Sequence, residues 1–146
     1  MIKFLDLKRV TKSFEPELSE AVRRVIDSGW YLLGNELKLF EEEFAEYCGT
    51  RYCAGVSNGL DALHLVLRAW KIGEGHEVIV PSNTYIATWL AVSMTGAKPI
   101  PVEPDIDTYC INPGLIENAI TVKTKAIIQV HLYGRTCEMD KINETA

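Results

Sequence analysis

Apolar residues recur at Leu18, Ala21, Val22, Val25 and Ile26, spaced i, i+3, i+4, i+7 and i+8. That stripe predicts an amphipathic helix over Glu17–Ser28, opened near Pro16 and stopped by Gly29. Leu37, Phe40, Phe44 and Tyr47 repeat the pattern over Asn35–Tyr47, with Gly49 as the stop. The rhythm then changes. Short apolar runs at Tyr52–Val56, Glu77–Val80, Lys98–Val102 and Lys125–His131 read as strands. Between them, Leu60–Trp70 and Thr84–Thr95 read as buried helices. Asn112-Pro113 reads as an N-cap and first-turn proline opening a helix to about Ile120. Another helix opens near Glu138. Four strands alternating with helices of crossover length predict βαβ units in a mostly parallel sheet with helices on both faces.

In such sheets ligands bind beyond the carboxyl ends of the strands. Chemistry is therefore expected in the segments 57–61, 81–85, 103–105 and 131–134. Ser57-Asn58-Gly59 joins a strand to a helix start, where free N–H groups and the helix dipole favour an anion. Gly59 would let a phosphate approach the backbone. Ser57 or Asn58 acting only as a helix cap is an equal reading of the same residues. On spacing alone Tyr85 reads as a core aromatic, His131 as a hydrogen-bonded structural residue and His64 as packing. Glu41-Glu42-Glu43 reads as a solvated helix face. Neither GxxxxGK[ST] nor GxGxxG occurs, which disfavours P-loop and Rossmann-type nucleotide binding.

Composition narrows the classes. The 146 residues are 47% hydrophobic and 24% charged, with a net charge of −5. That suits one globular domain and argues against nucleic acid or an anionic membrane as the main partner. No stretch reaches the ~18 consecutive apolar residues of a membrane span. The N-terminal MIKFLDLKRV lacks the pattern of a secretory signal, so a cytoplasmic location is expected. Cys48, Cys53, Cys110 and Cys137 form no CxxC pair, and no metal site is expected.

Taken together the segments resemble the N-terminal part of the DegT/DnrJ/EryC1/StrS family, sugar-nucleotide aminotransferases that use pyridoxal 5′-phosphate. The residues that carry the resemblance span almost the whole chain. They are Phe4-Leu5-Asp6-Leu7, Gly29-Trp30-Tyr31-Leu32-Leu33-Gly34-Asn35-Glu36, Ser57-Asn58-Gly59-Leu60-Asp61-Ala62-Leu63, Val80-Pro81-Ser82-Asn83-Thr84-Tyr85 and Val130-His131-Leu132-Tyr133-Gly134. The resemblance implies a three-layer α/β/α fold, the large domain of a PLP-dependent, aspartate aminotransferase-like transferase. Residues 1–50 would be its N-terminal helical segment and 51–146 its βαβ units.

The resemblance also implies a site. Backbone amides at Asn58, Gly59 and Leu60 would hold the cofactor phosphate, and Tyr85 would stack on the pyridine ring. Trp30 and Tyr31 would lie near the sugar nucleotide, and His131 and Tyr133 would serve as scaffold. The partners implied are a nucleotide-linked keto sugar, glutamate and a second copy of the chain in a homodimer. The Asn-Gly-Leu-Asp-Ala-Leu form resembles the branch acting on dTDP-3-keto-6-deoxyhexoses, in deoxysugar or surface-polysaccharide synthesis.

Three departures from the family pattern stand out. Leu60 replaces the usual threonine, which removes a side-chain phosphate contact. His76 replaces a usual aspartate. The aspartate that pairs with the pyridine nitrogen and the lysine that bonds the cofactor would lie beyond residue 146, with the rest of the large domain and the small domain. No residue here is assigned a catalytic role, and the chain alone is expected to be inactive. It is also expected to be marginally stable or to associate, because the first strand would lack its partner. The competing reading is a non-catalytic module that binds a phosphate ligand or a protein partner.

Overall fold

Gly29 adopts a left-handed conformation, φ 65°, and its N–H returns to the Ile26 carbonyl at 3.2 Å, ending the helix Glu17–Ser28 where the sequence stripe ends. The computed structural model describes residues 4–146. These residues divide after Gly55 into two units.

The first unit holds α1 (Leu7–Lys12), α2 (Glu17–Ser28) and α3 (Asn35–Tyr47). Arg24 on α2 donates two hydrogen bonds to the Glu36 carboxylate on α3, at 2.7 and 3.1 Å. That contact raises the Arg24 pKa and lowers that of Glu36, and the pair is too exposed to count for much in stability. Phe40 and Phe44 stack along α3, ring centroids 5.4 Å apart. Leu18, Val22 and Ile26, one stripe of α2, are all exposed, and Ala45 is the only buried hydrophobic among this unit's described residues.

Two expectations fail in this region. Glu41 is not merely solvated: its Oε1 accepts the Gly55 N–H at 2.6 Å, while Glu42 and Glu43 stay exposed. A Cβ at Gly55 would lie 2.5 Å from Leu37 Cδ1, so only glycine fits that approach. Tyr52–Val56 is not a strand. A strand exists through its ladder, and this segment has no strand beside it among the described residues.

The second unit holds α4 (Gly59–Ala69), β1 (Glu77–Pro81), α5 (Ile86–Ser93), β2 (Lys98–Val102), α6 (Pro113–Ala119), β3 (Thr124–Ile127), a 3₁₀ turn (Leu132–Gly134) and α7 (Met139–Thr145). Among the described residues the sheet therefore has three strands rather than four, in the order β2-β1-β3, all parallel. β3 is also shorter than its apolar run, although the Ile128 N–H still reaches the Ile79 carbonyl at 2.8 Å.

β1 is central, and Val78, Ile79 and Val80 are fully buried. Because successive side chains alternate faces, Val78 and Val80 join a cluster with Leu67, Ile72, Ala91 and Val92 from the α4–α5 side. Ile79 joins Val102, Ile111, Ile116 and Ile142 on the α6–α7 side. Helices thus cover both faces, in the three layers expected. β2 is an edge strand. The Lys98 N–H pairs inward to the His76 carbonyl, so by alternation Pro99 and Pro101, which have no N–H, fall on the open side.

The helices read as buried are one-sided. On α4 only Leu67 is fully buried, while Leu65 and Val66 are exposed. On α5 Thr88, Ala91 and Val92 are buried, while Ile86, Leu90 and the C-cap Met94 are exposed. His64 on α4 is half-buried, as packing predicts, and its Nε2 has no hydrogen-bond partner. Among the described residues no helix is long and apolar enough to cross a membrane.

Ile79 is fully buried in the central strand and registers on both sheet partners, facing Ile100 and Ile127. Ile79→Ala is expected to destabilise the chain by about 2–5 kcal/mol in urea unfolding, against less than about 0.5 kcal/mol for exposed Leu65→Ala. Equal losses at the two positions would contradict this account of the core.

Candidate functional site

The parallel pairing puts the carboxyl ends of β1, β2 and β3 on one side of the sheet. α4 enters β1 through the short turn 70–76, so it runs back along the sheet and its N-terminus lies on that same side. α4 and α5 pack against each other, and α5 begins just after the end of β1. Topology therefore gathers the start of α4, the start of α5 and the strand ends at one end of this unit.

The start of α4 is a closed polar ring. Asn58 Oδ1 accepts the Asp61 N–H at 2.9 Å, Asn58 Nδ2 donates to Ser57 Oγ at 3.0 Å, and Ser57 Oγ–H donates to the Asp61 carboxylate. Asn58 is thus the N-cap, as one of the two sequence readings had it. The cap does not use every amide of this first turn. Capping takes the Asp61 N–H, and the Asn58 carbonyl takes the Ala62 N–H at 3.1 Å. The N–H groups of Gly59 and Leu60 belong to the first helical turn, where no intrahelical acceptor exists, and no other acceptor among the described residues meets them.

A Cβ built on Gly59 would meet nothing within 4 Å, so the approach to these two donors is open. The Leu60 side chain packs against the α4–α5 cluster. Its side chain thus serves the core while its N–H stays without an acceptor among the described residues. This arrangement fits a phosphate: two convergent donors at the positive end of an 11-residue helix, with room for a bulky anion.

Tyr85 does not belong to the core, contrary to the reading from spacing. It is the N-cap of α5, its side chain caps nothing, and it is 78% exposed. Its ring is free to stack. The backbone beneath is fixed by Trp89 Nε1, which donates to the Pro81 carbonyl at 3.2 Å, and by a Thr84–Thr88 hydroxyl contact at 3.0 Å. Sequence reasoning passed over both supports, since neither i, i+4 nor i, i+8 polar spacing stands out in an apolar helix.

The third strand-end segment is built on Asp105. Its Oδ1 accepts the Thr108 and Asp107 N–H groups, both at 3.0 Å. The Thr108 bond first and the Asp107 bond second hold its pKa below the usual carboxylate value, with a smaller contribution from Arg135. Asn83 Nδ2 ties this loop to the end of β1 by donating to the Tyr109 carbonyl at 3.0 Å, a link the sequence does not announce. Tyr109 and Tyr133 both take left-handed backbone, at φ 59° and 55°. In the fourth segment His131 is structural, as expected: its Nδ1 accepts the Cys137 N–H at 3.1 Å. Tyr133 is almost fully exposed.

Trp30 and Tyr31 belong to the first unit, on the loop between α2 and α3, and both are exposed. Lys71, Lys98, Lys123 and Lys125 sit in the turn before β1 or at the starts of β2 and β3, the end of the sheet away from the amides of α4. Among the described residues no group of three or more His, Cys, Asp or Glu side chains forms a metal site.

Two outcomes follow from these bonds. Asn58→Ala is expected to cost about 0.5–2 kcal/mol and to speed amide exchange in the first turn of α4, read by denaturation and hydrogen exchange; an unchanged midpoint would contradict the cap. The Asp105 carboxyl, followed by carbon NMR, is expected to titrate below an ordinary aspartate. A lowered folded pKa means that its contribution is complete above the ordinary value and is lost as pH falls through the folded one.

Comparisons with known proteins agree with this geometry. The model of the DegT/DnrJ/EryC1/StrS aminotransferase family matches residues 12–146. The chain is 58% identical to the dTDP-3-amino-3,6-dideoxy-alpha-D-galactopyranose transaminase of Aneurinibacillus thermoaerophilus, over 98% of this chain and 39% of that protein. It superposes on the crystal structure of Streptomyces venezuelae DesV with a TM-score of 0.95 at 54% identity, covering 99% of this chain and 39% of the other. It also superposes on ntda from Bacillus subtilis, solved with bound cofactor PMP, with a TM-score of 0.91 at 36% identity, covering 98% and 33%. The chain spans about two fifths of the length of the curated relatives it matches.

Proposed function

Because the chain belongs to the DegT/DnrJ/EryC1/StrS aminotransferase family, we propose that it supplies the phosphate-holding and ring-stacking wall of a pyridoxal 5′-phosphate site. The whole protein's reaction would move an amino group from glutamate to a nucleotide-linked keto-deoxysugar, with dTDP-3-keto-6-deoxyhexoses as the substrate class. The observation that carries this reading is the pair of unpartnered N–H groups at Gly59 and Leu60 under an open approach.

When bound, the cofactor supplies the electron sink that lets an amino group pass between carbon skeletons. The chain's own residues bind and orient. Asn58 holds the turn rigid by satisfying the Asp61 amide, so the Gly59 and Leu60 donors are pre-aimed and lose little entropy on meeting a phosphate. Tyr85 offers an exposed face for a flat heteroaromatic ring. Trp30 and Tyr31 offer two exposed aromatic rings for the sugar nucleotide.

Lys71, Lys98, Lys123 and Lys125 lie at the other end of the sheet and Lys141 on α7 is paired with Glu138, so the reading assigns this chain binding without the covalent step. As a domain it is part of a PLP-binding large domain, residues 1–50 its helical segment and 51–146 its βαβ units. A homodimer agrees with the uncovered apolar stripes Leu18, Val22, Ile26 on α2 and Ile86, Leu90 on α5 with its C-cap Met94. A cytoplasmic location agrees with four unpaired cysteines.

The test is an amide NMR titration of the chain with pyridoxal 5′-phosphate, pyridoxal and inorganic phosphate. The phosphorylated compound is expected to move Gly59, Leu60 and Tyr85, and inorganic phosphate to move Gly59 and Leu60 only. Borohydride added afterwards is expected to fix no single lysine. Shifts confined to other residues, or one lysine labelled stoichiometrically, would overturn the reading.

A further inference from the structure

Trp30, Tyr31, Leu32 and Leu33 stand in a row on the loop between α2 and α3, and are 63% to 81% exposed. Consecutive large apolar side chains left open on a folded surface mark a contact surface. This loop is held at two points, and both act on Trp30. At its start the Ser28 hydroxyl donates to the Val25 carbonyl at 2.8 Å and accepts the Trp30 N–H at 3.1 Å. At its end a Cβ on Gly34 would lie 2.9 Å from the Trp30 carbonyl oxygen and 3.7 Å from Trp30 Cγ. Only glycine lets the chain close that tightly on the Trp30 peptide and on the root of its indole. Leu33 leads into this approach through left-handed backbone, φ 52°, which leucine adopts only at a cost. The two bonds from Arg24 to Glu36 tie α2 to α3.

We propose that Ser28 and Gly34 are positioning residues, which set the Trp30 indole in advance as a stacking platform for the base of a nucleoside diphosphate sugar. Given the reading of Trp30 and Tyr31 as sugar-nucleotide residues, on which this depends, the two holds explain how the ring is fixed. A tryptophan on a free loop would give up backbone and rotamer freedom when a ligand arrived, and that loss lowers affinity. Here the Trp30 peptide is held at its N–H and crowded at its carbonyl before any ligand is present. The contact between Gly34 and the root of the indole restricts the side chain as well. A small flat occupant matches this arrangement, because a base stacks on one ring at one tilt. A protein partner would engage Leu32 and Leu33 as much as the rings, whereas both holds serve Trp30.

The test is an NMR titration with dTDP that follows the Trp30 indole N–H in the parent chain and in Gly34→Ala, Ser28→Ala and Ser28→Thr. The parent is expected to show a saturable Trp30 shift. Ser28→Ala is expected to weaken binding about threefold to tenfold, the worth of one hydrogen bond, and Ser28→Thr, which keeps the acceptor, to retain it. Gly34→Ala is expected to weaken binding about tenfold or more, because the added methyl displaces the Trp30 peptide. Without dTDP, heteronuclear relaxation is expected to find the Trp30 indole ordered in the parent and mobile on the picosecond to nanosecond timescale in Gly34→Ala. Inorganic phosphate is expected to move Gly59 and Leu60 alike in every chain, which separates loss of the loop from loss of the fold; where Gly34→Ala does not fold, the two Ser28 variants decide. Equal dTDP affinity in the parent, Ser28→Ala and Gly34→Ala would overturn the positioning role and leave the reading of Trp30 standing. An indole equally ordered in the parent and Gly34→Ala would overturn it too. A Trp30 signal that dTDP does not move in the parent would remove both the positioning role and the reading beneath it.

Discussion

The burial of β1 on both faces is the constraint from which the rest of the second unit follows. A strand with no polar side chain between Val78 and Val80 can be placed only where each face meets another apolar layer. Alternation sends Val78 and Val80 to α4 and α5, and sends Ile79 to α6 and α7. Once those helices are seated, their connections are short and their directions are set. The N-termini of α4 and α5 must then emerge with the carboxyl ends of the strands. The placement of the amide donors is a consequence of packing rather than a separate feature.

The donors themselves depend on local polar chemistry. A helix start leaves several N–H groups without partners, and water or a ligand must meet them. Ser57, Asn58 and Asp61 close a ring that consumes one of these groups and stiffens the turn. Gly59 and Leu60 stay free because glycine offers no bulk and the leucine side chain is drawn into the core. One five-residue segment thus caps the helix, packs against the core and leaves two donors open.

Much of this was legible along the chain. The helices Glu17–Ser28 and Asn35–Tyr47 end where their stripes end, and Asn112-Pro113 caps α6 as read. The turn at Asn58, Gly59 and Leu60 was legible as a helix start after an apolar run. Tyr85 was legible as an aromatic after a strand, but whether it packs or projects was not. Its sequence neighbours are as apolar as those of a core residue, and only the course of α5 turns the ring outward. Tyr52–Val56 misled for the opposite reason. Its composition is that of a strand, but strand structure requires another backbone at hydrogen-bonding distance.

By itself the sequence determined what depends on neighbours within a few residues: helix periods, caps, stops and the β-branched runs. These are local because their hydrogen bonds and side-chain contacts close within one or two turns. Tertiary structure decided what depends on residues far apart. It set which apolar run gained a ladder, which side of α4 and α5 was covered, and that Asn83 would reach the Tyr109 carbonyl. It also brought Cys110 and Cys137 into one core cluster. Those contacts exist only once the crossovers around β1 have brought separate segments together, and no spacing along the chain encodes the distance between them.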